Sequence, residues 1–187
     1  SYKSALSCDT ISAVGGIVSC NYKITEPLAL ELSKIFLEVI IANNFDTSAL
    51  RILKKKKNLR LINASNYSVD DSLKHISEGN EILIQSDDHK KFTSKDFKIV
   101  SKRKPSTKEM KNLIFAFNVC RYVKSNAIVL VANETTAGIG SGQPSRLDSC
   151  KIAIKKMKKF TKSNEKLVAA SDAFFPFIDG IERLVQS

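Results

Sequence analysis

Two polar segments in the second half of the sequence contain residues suited to binding an anion. Stretch 124–126 (Lys-Ser-Asn) precedes an apolar run, and the glycine-rich stretch 138–146 ends in Ser145 and Arg146. This pattern predicts polar side chains beside a buried strand and a flexible turn that leads into a helix. Ser145 could cap that helix, whose first amides would favour an anion. The glycine spacing matches neither a dinucleotide fingerprint nor a P-loop, so a simple glycine turn is an equally good interpretation.

Two further segments could lie against a ligand. Gly15 and Gly16 interrupt a run of β-branched residues, where a glycine pair forms a bulge or lets a ligand approach the backbone closely. Three aromatic residues surround Pro176 in Ser-Asp-Ala-Phe-Phe-Pro-Phe, 171–177. They could pack in the core or form an apolar slot for a planar ring.

Other kinds of catalytic site have little support in the sequence. His75 and His89 start no zinc motif, and the four cysteines are far apart without a C-x-x-C pair. No Ser–His–acid set or close carboxylate pair stands out. We therefore expect no metal site, and we expect reduced thiols, as in a cytoplasmic protein.

Strand-like and helical apolar patterns alternate along the chain, which favours an α/β fold. We expect strands within 11–20 and at 39–42, 59–62, 81–85, 97–100, 127–132, 136–139 and 167–170. We expect helices after Thr25, Asp46 and Thr107, after the glycine-rich stretch, and near Asp179. Residues 63–80 are polar and predict a loop or a small helical excursion. No linker is evident, so the sequence predicts one layered structure.

The net charge of +11 comes from 30 Lys and Arg against 19 Asp and Glu. A basic chain of this kind could bind nucleic acid, handle smaller anions, or carry a lysine-rich solvated surface. The aromatic residues that would stack bases do not alternate with the lysine clusters, so we expect no nucleic-acid partner. No apolar run approaches the roughly 20 residues of a membrane helix, and we expect no membrane partner.

Six blocks in order connect these segments to a known family. The chain resembles the AICAR transformylases, the formyltransferase domains that usually accompany an IMP cyclohydrolase domain. The resemblance covers about residues 2–179. Its blocks are DTISAVGGIV, EVIIA, KKNLR, VKSNAIVL, GIGSGQPSR and ASDAFFPF.

The resemblance implies formyl transfer from 10-formyltetrahydrofolate to the 5-amino group of AICAR, giving FAICAR in purine biosynthesis. It implies a three-layer α/β/α, cytidine-deaminase-like fold without zinc. It also implies a homodimer with active sites between subunits. A basic nucleic-acid-binding α/β module remains the alternative.

The resemblance also assigns roles to individual residues. Asn126 and Arg146 match active-site residues, with Asn126 bonding the reacting formyl and amine groups. Phe174, Lys124 and Ser125 are expected to bind AICAR, Phe174 by stacking near its ring. The residues expected to bind folate are Gly16, Leu147, Pro176, Phe177 and Asp179.

The sequence departs from the family pattern at single positions and at both ends. Val14, Asn43 and Pro144 replace a common Phe, Pro and Met. The family's Lys-His pair, the oxyanion donor and proton acceptor, is expected upstream of Ser1, and its PGGS and Arg-His-Phe segments beyond Ser187. We therefore interpret residues 1–187 as an internal fragment of the transformylase domain and expect it to be inactive alone.

Overall fold

The computed structural model describes residues 1–67, 73–160 and 166–187 and shows a mixed α/β fold. A short 3-10 helix covers Ser94–Asp96. The helices are α1 (Tyr2–Ser7), α2 (Glu26–Leu32), α3 (Thr47–Leu53), α4 (Thr107–Cys120), α5 (Arg146–Phe160) and α6 (Asp179–Val185). The strands are β1 (Gly16–Cys20), β2 (Leu37–Ala42), β3 (Arg60–Asn63), β4 (Leu73–Glu78), β5 (Glu81–Ser86), β6 (Ile128–Ala132), β7 (Thr135–Gly140) and β8 (Val168–Ser171).

The chain forms two compact units, so the expected single layered structure is wrong. Residues 1–10 and 91–187 form one unit, here called the main unit, and residues 11–90 form the inserted unit. Each unit has its own sheet. The sequence does not reveal this division, because no proline- or glycine-rich linker marks either boundary.

The inserted unit contains a parallel sheet in the order β1-β2-β3. Helices α2 and α3 connect its strands and begin after the N-caps Thr25 and Asp46, as the sequence predicts. Leu32, Ile40 and Leu53 are fully buried there. Helix α2 ends at Leu32, and Phe36, four residues further on, is exposed.

The inserted unit also contains an antiparallel hairpin, in which β5 confirms the strand expected at 81–85 and β4 was not expected. Part of the predicted loop, 73–78, is strand β4, and a turn with positive φ at Gly79 joins it to β5. Residues 68–72 of that loop lie outside the described residues. The strand expected at 97–100 is absent from the described main unit, where these residues are irregular.

The main unit is a three-layer structure with an antiparallel sheet, β7-β6-β8, in the middle. Successive residues of β6 point to opposite faces. Ile128 and Leu130 pack with α5, whereas Val129 and Val131 pack with α4. All of β6 is buried, which confirms the prediction of a central strand. Helix α4 begins with a capping box between Ser106 and Glu109.

Two glycines in the glycine-rich stretch serve close packing between β7 and α5. A Cβ atom on Gly140 would lie 1.9 Å from the carbonyl oxygen of Ser149, and one on Gly138 would lie 2.1 Å from that of Ala153. Both glycines belong to β7, so the flexible turn expected from Gly138 onwards is wrong for these two. Gly142, with φ of +68°, does lie in the turn before α5.

Candidate functional site

Three strand ends of the main unit meet at one edge of its sheet. Strand β6 begins there, and its antiparallel neighbours β7 and β8 end there, because Ile128 pairs with both Gly140 and Ser171. The residues before β6, after β7 and after β8 therefore come together. Their polar members, here called the polar cluster, are Ser125, Asn126, Arg146, Ser171 and Asp172.

Arg146 is at the centre of the polar cluster. As the first residue of α5, it donates from Nη2 to Oδ1 of Asn126 at 2.7 Å and from Nη1 to Oγ of Ser171 at 2.7 Å. Nη1 also donates to the Asp172 carboxylate. The Arg146 side chain is 11% exposed. Its Nε–H and one Nη2–H have no partner among the described residues, so they remain able to donate to a ligand.

Asn126 is held by both its side chain and its backbone. Its Nδ2 donates to the carbonyl oxygens of Gln143 and Pro144, both at 2.9 Å, and its own carbonyl oxygen accepts from Oγ of Ser149 at 2.7 Å. The peptide bond between Ser125 and Asn126 is cis. Both amide hydrogens of Asn126 are therefore used within the protein, and Oδ1 retains one acceptor position.

Pro144 is one of the departures from the family pattern, and it stands two residues before α5. Its carbonyl oxygen accepts the bond from Asn126, so this residue takes part in holding the predicted site through its backbone. The other two departures, Val14 and Asn43, are exposed residues of the inserted unit.

Lys124 and Ser125 precede Asn126 and lie at the surface. The Lys124 carbonyl oxygen accepts from the Gly142 amide at 2.8 Å, while its side chain is exposed. The Ser125 hydroxyl donates to Oδ2 of Asp172. Lys124 and Ser125 were both expected to bind substrate. In the structure Ser125 belongs to the polar cluster, and the Lys124 backbone helps to hold the turn.

Asp172 and Ser171 are the two members of the polar cluster to which the sequence assigned no role, and Asp172 has the larger number of bonds within it. Its Oδ1 accepts from Arg146 and from the Ala127 amide at 3.1 Å, and its Oδ2 accepts from Ser125. Partial burial acts to raise the pKa of Asp172, but the bonds from Arg146, Ser125 and Ala127 outweigh it and lower the pKa to about 2. The sequence does carry one signal for this pair: an acidic residue, Asp172, follows one predicted strand, and an arginine, Arg146, follows another.

The aromatic segment after β8 divides between the core and the surface. Phe175 packs against the α5 side of the core, with its ring centre 5.9 Å from Cζ of Arg146. Phe174 and Phe177 are 81% and 75% exposed. Neither sequence interpretation therefore holds for the whole segment: one ring is core, and two rings and Pro176 are open to solvent.

The remaining predicted folate residues are distributed over both units. Leu147 follows Arg146 on α5 and is half-buried, and Asp179 begins α6, where it accepts the Gly180 amide at 2.7 Å. Gly16 begins β1 in the inserted unit, and the register with β2 shifts between Gly16 and Ile17, where Glu38 is an extra residue in β2. The structure therefore brings Arg146 into contact with Asn126 and joins Ser125 to Arg146 through Asp172, whereas Gly16 belongs to the inserted unit.

Within residues 1–67, 73–160 and 166–187, no three His, Cys, Asp or Glu side chains are grouped to hold a metal ion. Over the same residues, no helix combines the length and apolar character needed to cross a membrane. All four cysteines are free thiols, and burial raises the pKa of Cys120 to about 11.

The fold and the polar cluster define an α/β protein with a polar site at one edge of its antiparallel sheet. Residues 1–156 match the family model described as AICARFT/IMPCHase bienzyme. This match includes Asn126 and Arg146 and ends before the aromatic segment. The chain therefore belongs to the AICARFT/IMPCHase bienzyme family.

Curated relatives agree with this assignment, and each is described as a bifunctional purine biosynthesis protein PurH. The relative from Parvibaculum lavamentivorans is 44% identical over 191 residues, and that from Bartonella bacilliformis 46% over 193 residues; in both, the match covers 96% of this chain and 35% of the relative. The relative from Aquifex aeolicus is 44% identical, covering 95% of this chain and 34% of its own length. The chain thus spans about a third of the relatives it matches.

Proposed function

We propose that this chain forms part of the formyl-transfer site of an enzyme of de novo purine (IMP) biosynthesis. The reaction moves a formyl group from 10-formyltetrahydrofolate to the 5-amino group of AICAR and gives FAICAR. The contact of Arg146 with Asn126, at 2.7 Å, is the observation that carries this proposal. The two residues lie in separate sequence blocks, both were expected in the active site, and the fold brings them together.

The chemistry of formyl transfer fits the donors and acceptors of the polar cluster. The attacking aromatic amine has a delocalised lone pair, so it needs positioning, a proton acceptor and donors for the developing oxyanion. The two remaining N–H groups of Arg146 suit a donor role beside that of the Lys-His pair, and Oδ1 of Asn126 suits orientation of the amine. We assign the proton acceptor to the Lys-His pair expected outside this chain.

We further propose that the exposed aromatic segment contributes to ligand binding. Exposed rings of this size are unusual on a surface without a ligand or partner. We assign Phe174 to stacking on AICAR, with Lys124 and Ser125 as further substrate contacts. Gly16, Leu147, Pro176, Phe177 and Asp179 are assigned to folate.

The domain assignment is also a proposal. We infer that residues 1–187 are an internal piece of the transformylase domain, with the cyclohydrolase domain and both ends of the transformylase domain outside it. The helix–sheet–helix layering of the main unit supports a cytidine-deaminase-like fold without zinc. A homodimer and a cytoplasmic location complete the proposal, the latter supported by the free thiols.

Ligand titration separates this proposal from its alternative. AICAR and an antifolate are titrated into the full-length protein and into its Phe174→Ala variant, and we expect saturable binding that Phe174→Ala weakens. A basic nucleic-acid-binding module would instead bind RNA or DNA with steep salt dependence, and neutralising the lysines at 54–57 would abolish this binding. Full-length protein that binds neither AICAR nor antifolate would contradict the proposed function.

The isolated chain provides a second test of the domain assignment. Because the proton acceptor is placed outside residues 1–187, we expect no formyl transfer from AICAR and 10-formyltetrahydrofolate with this chain alone. Turnover above the uncatalysed rate by the isolated chain would contradict the assignment.

A further inference from the structure

Asp172 is connected to both predicted catalytic residues without being one of them. One carboxylate oxygen accepts from Arg146, and the other accepts from Ser125, the residue before Asn126. The first oxygen also accepts from the amide of Ala127, the residue after Asn126. The carboxylate therefore holds the Ser125 side chain and the Ala127 backbone, on the two sides of Asn126, and the guanidinium that contacts the Asn126 side chain.

The three partners of the Arg146 guanidinium are not equivalent. Asn126 and Ser171 offer neutral oxygens, and Asp172 offers the charged one among the described residues. The Asp172 and Arg146 side chains are 16% and 11% exposed, so solvent screens their pairing only in part. The bonds fix the plane of the guanidinium and thereby the directions of its two remaining N–H groups.

Pairing with Asp172 also changes which interactions Arg146 can offer to an anionic group. A guanidinium paired with a carboxylate has little net charge to offer an anion at a distance. It still offers N–H donors of fixed direction, which is the property that an oxyanion site needs. Fixing a donor matters greatly, because a displacement of about 1 Å can cost about 10²-fold in rate.

We propose that Asp172 is a positioning residue, which acts through Arg146 by aiming its free N–H groups for formyl transfer. This inference rests on the proposed function for its consequence, whereas its structural part concerns the Asp172–Arg146 pair alone. Asp172 bonds to the Arg146 guanidinium, and we assign it no contact with substrate.

Turnover by the full-length protein tests the consequence. We expect Asp172→Ala to lower kcat by about 10²-fold and to change KM by less than about 3-fold. The variant leaves the Arg146 N–H donors without a fixed direction in the transition state but removes little of the binding of the substrate in its ground state. Asp172→Asn keeps the size of the side chain and serves if Asp172→Ala fails to fold. Asp148→Asn is the matched control, because Asp148 lies on α5 in an exposed pair with Lys151.

A double-mutant cycle separates positioning from general loss of structure. If Asp172 acts through Arg146, adding Asp172→Ala to Arg146→Ala should lower kcat by less than about 3-fold further. A loss as large as in the wild-type background would overturn the proposal, because it would show that Asp172 acts independently of Arg146.

A chemical measurement keeps this inference distinct from the proposed function. Phenylglyoxal modifies arginines, and mass spectrometry gives the modification rate of Arg146 relative to Arg103. We expect the relative rate to rise several-fold in Asp172→Ala and Asp172→Asn but not in Asp148→Asn. An unchanged rate would overturn the positioning role even in an active enzyme, whereas a raised rate in a protein without formyl transfer would leave the pairing intact and contradict the proposed function.

Discussion

Both units carry an ion pair next to the ends of paired strands, and the two pairs have very different surroundings. In the inserted unit, Lys23 after β1 pairs with Asp46 after β2, and their side chains are 55% and 33% exposed. In the main unit, the Arg146 and Asp172 side chains are 11% and 16% exposed. The less exposed pair, Arg146–Asp172, also joins a network, in which Asn126, Ser125 and Ser171 are further members.

The difference shows which of the two ion pairs can hold its side chains in a fixed geometry. An exposed lysine–carboxylate pair is screened by water and keeps much of its side-chain freedom. A largely buried arginine–carboxylate pair with neutral partners has a defined geometry, and each removed partner leaves polar groups unsatisfied. We therefore expect changes in the polar cluster to have large effects and changes in the exposed pair to have small ones.

The largest effect is expected for Asn126→Ala in the full-length protein. Because Oδ1 of Asn126 is assigned to orienting the amine and accepts from the donor Arg146, kcat for formyl transfer should fall by roughly 10²–10³-fold. Steady-state kinetics with AICAR and 10-formyltetrahydrofolate measure this. An unchanged kcat would remove Asn126 from the catalytic residues.

The next effect concerns the packing that places Arg146. In Gly140→Ala the new methyl group would meet the Ser149 carbonyl, 1.9 Å away, so α5 must move from β7. We expect the free energy of unfolding to fall by about 1–3 kcal/mol, as measured by urea denaturation. Gly79→Asn is the control, because no atom lies within 4 Å of its added Cβ and Asn tolerates positive φ. Equal losses in both variants would contradict the packing role of Gly140.

Whether the sequence predicts a feature of the fold or of the site depends on how far apart in sequence the interacting residues lie. The central strand β6, the caps Thr25 and Asp46 and the meeting of Asn126 with Arg146 follow from apolar patterning, local signals and family blocks. Strand β5 was expected at 81–85, but its partner β4 was not, because all residues of β4 are exposed and so leave no period-2 burial pattern. Asp172 was missed because its partners lie 26 and 47 residues away in sequence.

A smaller effect is expected from titrating Asp172. Its pKa is lowered from 3.8 to about 2 in the folded protein, so its contribution to stability is complete above about pH 4 and is lost as the pH falls through 2. In Asp172→Asn this contribution is missing at every pH. The gap in Tm between wild type and variant should therefore narrow from pH 5 to pH 2, and a gap that stays constant would contradict the assigned bonds.

The smallest effect is expected for Lys23→Ala, which removes the exposed pair. The free energy of unfolding should change by no more than about 1 kcal/mol, and kcat should stay within about twofold. Urea denaturation and the formyl-transfer assay measure both quantities. A loss of kcat comparable to that of Asn126→Ala would remove the contrast between the two ion pairs.

The most direct test of the central claim compares two reactions in one protein. In the full-length protein, Arg146→Ala is assayed both for formyl transfer to AICAR and for the cyclisation of FAICAR to IMP. Because the polar cluster is assigned to formyl transfer alone, we predict that formyl transfer falls by at least about 10²-fold while cyclisation stays within about twofold. Formyl transfer at the wild-type rate, or an equal loss of both reactions, would contradict the account.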